Sequence, residues 1–151
     1  MKTAEALGQF LAKRGVVEDD ARREGLYRGT WFFVRIHGVR IPFFPMVGFR
    51  GGLAAHDTHH LVNGYETNWV GECEVAAWEL ASGGCGSYFA YWIDRLVFLP
   101  LGLLTAPLRT LRAFRRGLGQ RNLYRLDPDA ILSMEVDEVR CHLVKSSSGP
   151  R

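Results

Sequence analysis

The chain has 151 residues, 47% of them hydrophobic and 23% charged, a length and balance that fit one globular domain and exclude a disordered or fibrous chain. Its net charge of +3 is too small to mark a nucleic-acid-binding protein by itself, yet seven arginines and no acid lie between Arg95 and Arg125. Three cysteines, Cys73, Cys85 and Cys141, are odd in number and form no CxxC pair, which fits small core or surface thiols in a reducing compartment better than a disulfide framework.

The opening stretch MKTAEALGQFLAKRG is too polar for a secretory signal, and Glu5, Glu18, Asp19 and Asp20 argue against a transit peptide, so a cytoplasmic protein is expected. Thr3 is placed to cap a short helix whose Leu7, Phe10 and Leu11 share one face and which Gly15 ends. From Trp31 to Phe44, Val and Ile alternate against Arg35 and Arg40 on either side of His37-Gly38, a pattern that predicts a small hairpin. Pro42, Pro45 and Gly51-Gly52 mark a loop before a helix from Leu53 to Val62, which stops at Asn63-Gly64. Thr67 or Asn68 caps the next helix, which runs to Ser82 before Gly83-Gly84.

Tyr88, Phe89, Tyr91 and Trp92, which line a lipid pocket or belong to the core, precede thirteen uncharged residues between Arg95 and Arg109. A membrane-spanning helix needs about 20 apolar residues, and Pro100, Gly102 and Pro107 interrupt this run, so a buried or interfacial segment is expected. Arg109, Arg112, Arg115 and Arg116 follow, interleaved with Leu108, Leu111 and Phe114 at helical spacing, and suit contact with anionic lipid or a solvated basic face. Phe114 and Tyr124 are too few stacking aromatics for nucleic acid, which is not expected as a partner. Asp127 caps and Pro128 opens a last helix whose core face is Leu132, Val136, Val139 and Leu143. The expected fold class is mainly α: a single-domain helical bundle over 1–144, one small β-hairpin near 31–44, and a disordered tail over 145–151.

In HDTHHLVNGYETNWVGE, His56 and His60 are four apart, so on a helix they are separated by about 40° and can share one ion. Asp57 lies about 60° from His60 and about 200° from His59, which makes His60 its neighbour and leaves His59 to support a ligand from behind or to sit at the surface. The turn at Asn63-Gly64 folds the next helix back, so that Glu72 in its first turn can reach the same ion. Glu79, seven residues beyond Glu72 and on nearly the same face, either holds a ligating histidine in place or is a solvent-exposed carboxylate. Two imidazoles with one or two carboxylates form a thiolate-free set suited to a divalent metal, zinc first, with iron or manganese as alternatives. Glu72 and Asp57 are also the candidates for moving a proton during catalysis.

The motif HDxxH, then eleven residues, then Glu, here His56, Asp57, His60 and Glu72, resembles the signature of the coenzyme Q biosynthesis COQ-four family. The segment GYETNWVGECEVAAWEL is similar to that family's sequence around the motif; the likeness spans Phe32 to Tyr124, is strongest from Ala55 to Leu80, and suggests a short, bacterial-type relative. The resemblance implies a helical fold, a metal on those four residues, and a position peripheral to the inner membrane. It further implies that the C1 carboxylate is removed from a polyprenylated 4-hydroxybenzoate intermediate, coupled to hydroxylation there, in company with other quinone biosynthesis proteins or further copies of itself. The PLGLLTAP stretch has no counterpart in the family's motifs. Two other functions compete: a non-catalytic prenyl-lipid-binding scaffold, and an HD-type phosphohydrolase, for which His37 and Asp127 would have to complete the His56-Asp57 doublet.

Overall fold

The computed structural model describes residues 1–13, 31–36, 39–45 and 52–145, with side chains described outside 31–45. Seven helices occur among these residues: α1 (Thr3–Ala12), α2 (Gly52–Asn63), α3 (Trp69–Ala81), α4 (Phe89–Thr105), α5 (Pro107–Leu118), α6 (Pro128–Ser133) and α7 (Val136–Leu143). Between α1 and α2, strands β1 (Trp31–Ile36) and β2 (Val39–Pro45) pair antiparallel from Trp31 opposite Pro45 to Ile36 opposite Val39. The mainly helical fold with one hairpin agrees with the expectation from sequence. His37, Gly38 and Gly15, and the tail from 146 on, lie outside the described residues. Lys145, assigned to that tail, donates to the Leu118 carbonyl at 2.7 Å.

Local chemistry explains most of the helix boundaries. Gly64 takes a φ of 73°, and the amides of Gly64 and Tyr65 both donate to the His60 carbonyl, closing the end of α2. Asn68 caps α3 by accepting from the Gly71 amide at 3.0 Å. Asp127 caps α6 by accepting from the Asp129 and Ala130 amides, with Pro128 at the first helical position.

Three expectations are corrected. Thr3 does not cap α1: Lys2 stands at the cap, and the Thr3 hydroxyl donates instead to the Met134 carbonyl, tying the chain start to the far end of the sequence. Pro100 does not interrupt the apolar run, because it lies on the exposed side of α4, where water can satisfy the carbonyl whose partner the ring removes; the break falls at Ala106. The last helix is two helices, because Met134 and Glu135 are extended and Glu135 starts a capping box with Glu138; the core residue near the break is Ile131, with Leu132 only half-buried.

Helix α5 packs through its small residues. Its buried stripe is Thr110, Ala113 and Gly117, while Leu108, Leu111 and Leu118 point outward. Small residues win the inner face because the backbones come close there. A Cβ added at Gly117 would lie 2.5 Å from the Trp78 carbonyl oxygen of α3, and one at Gly102 of α4 would lie 2.6 Å from both the Cys73 Cβ and the Thr110 hydroxyl. Helices α3, α4 and α5 thus pack through small side chains, and Val75, Ala77 and Trp78 of α3 join Leu123, Ile131 and Val139 in the core. Among the described residues no helix is long and apolar enough to cross a membrane.

Candidate metal centre

Helices α2 and α3 bring the donor atoms of His56, His60 and Glu72 within 4.8 Å of one another. The Glu72 carboxylate faces both rings: Oε2 is 3.5 Å from His56 Nε2 and Oε1 is 3.3 Å from His60 Nε2. Donors bound at about 2.0 to 2.1 Å around a tetrahedral zinc ion are about 3.3 to 3.4 Å apart, close to these two Glu72–histidine contacts. The two imidazole rings stand at 89° with centroids 4.8 Å apart, edge to face rather than stacked.

The tautomers follow from what each ring touches on its other side. His60 Nδ1 lies 3.3 Å from the Tyr65 carbonyl, which only accepts, so Nδ1 carries the proton and Nε2 presents a lone pair. That Nε2 is buried and, although 3.3 Å from Glu72, makes no hydrogen bond. His56 Nδ1 lies 3.0 Å from Glu79 Oε1 and 3.2 Å from an Arg95 nitrogen. The carboxylate is the stronger claimant, because Arg95 already pairs with the other Glu79 oxygen, so His56 Nδ1 donates to Glu79 and Nε2 faces Glu72. With Nδ1 engaged on both rings, two Nε2 atoms and a carboxylate converge on one point that a cation can occupy. The three residues therefore fit a divalent metal in a set that leaves coordination positions for other groups.

The charges agree. Burial alone would raise the Glu72 pKa, but the facing imidazoles of His56 and His60 bring it below the usual carboxylate value, so Glu72 stays ionised and suits a ligand better than a proton carrier. Burial alone would lower the His56 pKa, but the Glu79 charge and hydrogen bonds to Glu72 and Glu79 raise it to about 10 in the metal-free protein. Where no metal sits, a proton fills part of its place.

Behind the ligands lies a second carboxylate. Glu79 is 0% exposed, and its Oε1 accepts from His56 Nδ1 at 3.0 Å, His59 Nδ1 at 2.6 Å and the Tyr124 hydroxyl at 2.9 Å, while Arg95 pairs with Oε2. Burial would raise the Glu79 pKa, but the Arg95 and His56 charges hold it well below the usual range. His59 Nε2 accepts from the Leu123 amide at 3.0 Å, which fixes its proton on Nδ1, and burial lowers its pKa.

The residues expected from sequence divide accordingly. His56, His60 and Glu72 converge; Asp57 is half-buried and not among the converging donors, because it lies about 100° from His56 on α2. Glu79 accepts from His56, one of the converging donors, and is not solvent-exposed, and His59 is buried rather than on the surface. Tyr88 is half-buried, its ring against Tyr91 and Tyr124, while Trp92 is exposed and donates to the Gly86 carbonyl. Arg109 grips Glu74 through two hydrogen bonds at 3.0 and 2.7 Å, and Arg112 is exposed. Asp127 is exposed and occupied as the α6 cap. Arg95 and Tyr124 were missed; the one available signal for Arg95 is its i,i+4 spacing from Tyr91, which is buried on the same face of α4. Comparison with family models, curated proteins and solved structures found no match to the chain.

Proposed function

We propose that this chain is a metal-dependent enzyme of prenylquinone biosynthesis, working at a membrane surface on a polyprenylated aromatic acid of the 4-hydroxybenzoate type. The observation that carries the metal is the buried, unpartnered His60 Nε2, aimed with His56 Nε2 at an ionised Glu72. The reaction, loss of the C1 carboxylate as CO2 coupled to hydroxylation at that carbon, for which dioxygen would have to serve as the oxidant, comes from the resemblance of the HDxxH and Glu72 motif. When bound, a zinc, iron or manganese ion supplies Lewis acidity to a carboxylate or phenolate oxygen. His56, His60 and Glu72 hold it, and Glu79 orients His56. Asp57, one residue from a ligand and half-buried, is the remaining candidate for carrying a proton.

The apolar tail of such a substrate finds its counterpart in the outward leucines. Leu104 is 83% and Leu108 70% exposed, and Phe89, Leu96 and Leu111 add to the same pair of helices, α4 and α5. That surface also favours a second reading, a non-catalytic scaffold that binds prenyl lipid and carries its metal for structure alone. Glu72→Gln separates the two, because it changes a ligand's charge with almost no change of shape. Cells lacking the protein should accumulate a prenylated aromatic acid that retains its carboxylate. Wild type should clear it and Glu72→Gln, expressed at the same level, should not; full rescue by Glu72→Gln would leave the scaffold reading.

A further inference from the structure

In α3 the neighbours of Glu79, namely Val75, Ala76, Ala77 and Trp78, are all 0% exposed, so packing alone calls for an apolar residue there. Replacing a buried ion pair with apolar groups is often neutral or stabilising, so the Glu79–Arg95 pair needs an explanation other than stability. What Glu79 touches supplies one. Its Oε1 is fixed by three donors, on His56, His59 and Tyr124, and its Oε2 by Arg95. Arg95 is itself only 2% exposed and is held at its other arm by Asp94. One carboxylate therefore joins α2, α3, α4 and the segment around Tyr124.

We propose that Glu79 and Arg95 act as positioning residues for the metal centre: Glu79 accepts the hydrogen bond from His56 Nδ1–H, which leaves Nε2, beside Glu72, to hold the ion, and Arg95 keeps the carboxylate from turning away. The inference rests on the metal reading above. His60 shows the same plan with a weaker partner, its Nδ1 facing the Tyr65 carbonyl at 3.3 Å and its Nε2 facing Glu72. The two ligands are thus both held from behind, His60 by a neutral carbonyl and His56 by a charged carboxylate, whose orientation of a ligand characteristically strengthens metal binding.

The test compares the purified full chain with Glu79→Gln, Glu79→Asp and Arg95→Lys. Zinc affinity is measured by competition with a chromophoric chelator, and the His56 Nδ1–H resonance by heteronuclear NMR of the zinc-loaded protein. Glu79→Gln should lose about 10- to 100-fold in zinc affinity with stoichiometry at saturation unchanged, and its His56 Nδ1–H should lose the downfield shift that a charged acceptor gives. Arg95→Lys keeps the charge and should lose less. If Glu79→Gln does not fold, Glu79→Asp withdraws the carboxylate by one methylene, keeps the charge, and should still weaken zinc. A folded Glu79 variant with wild-type zinc affinity and an unshifted His56 Nδ1–H resonance overturns the positioning role and leaves the metal reading standing. A wild type that binds no zinc, iron or manganese overturns both.

Discussion

His59 stands beside the ligands without being one, and its two hydrogen bonds make it part of the frame that holds them. Its Nδ1 donates to Glu79 and its Nε2 accepts from the Leu123 amide, both fully buried. His59→Ala should therefore leave a buried amide and part of a carboxylate unpaired beside a new cavity, and lower stability by about 2 to 4 kcal/mol in urea unfolding. A loss under about 0.5 kcal/mol would mean that the ring is a surface group after all. The converging residues were legible in the sequence because an i,i+4 histidine pair and a glycine-stopped turn fix where Glu72 must come back. Asp57 was included because helical spacing puts it near His60, but the cluster forms on the side between His56 and His60 that faces α3. Arg95 was barely legible. Beyond its i,i+4 spacing from Tyr91, it borders a long arginine-rich stretch in which nothing else separates its buried guanidinium from the exposed Arg112 and Arg115.

At the scale of elements, helical periodicity placed α2 and α3 to within a residue or two but left open which residues of α5 are covered. The α5 leucines stay outside because close packing against α3 admits only Thr110, Ala113 and Gly117. Gly117→Ala should push α5 away from the Trp78 carbonyl and cost about 1 to 3 kcal/mol in thermal or urea unfolding; a neutral effect would contradict so close an approach. The outward leucines and the exposed Arg112 and Arg115 then form one amphipathic surface. Flotation with liposomes should require anionic lipid and weaken with salt. Arg112→Gln with Arg115→Gln is the informative change, since Arg109 is tied to Glu74 and Arg116 donates to the Asn63 carbonyl. Flotation unaffected by that double change would reduce the basic row to a solvated face.

For the whole molecule, the metal centre and the apolar surface share α4. This helix sends Tyr91 and Arg95 inward to the histidines and turns Leu96, Val97 and Leu104 outward. A reactive head group held at the ligands and an apolar tail held outside would then be served by one element, which is the spatial reason for reading the two features as one function. The arginines between Arg95 and Arg125 give this half of the chain its positive charge, opposite in sign to an anionic bilayer. Everything in that scheme depends on the ion. Elemental analysis of the purified protein, wild type beside His60→Ala, is therefore the decisive measurement. Wild type should carry about one zinc, iron or manganese per chain, as a three-residue mononuclear site requires, and folded His60→Ala should lose most of it. Equal metal in the two proteins, or none in wild type after incubation with these ions, would contradict the assignment of His56, His60 and Glu72 as a metal centre.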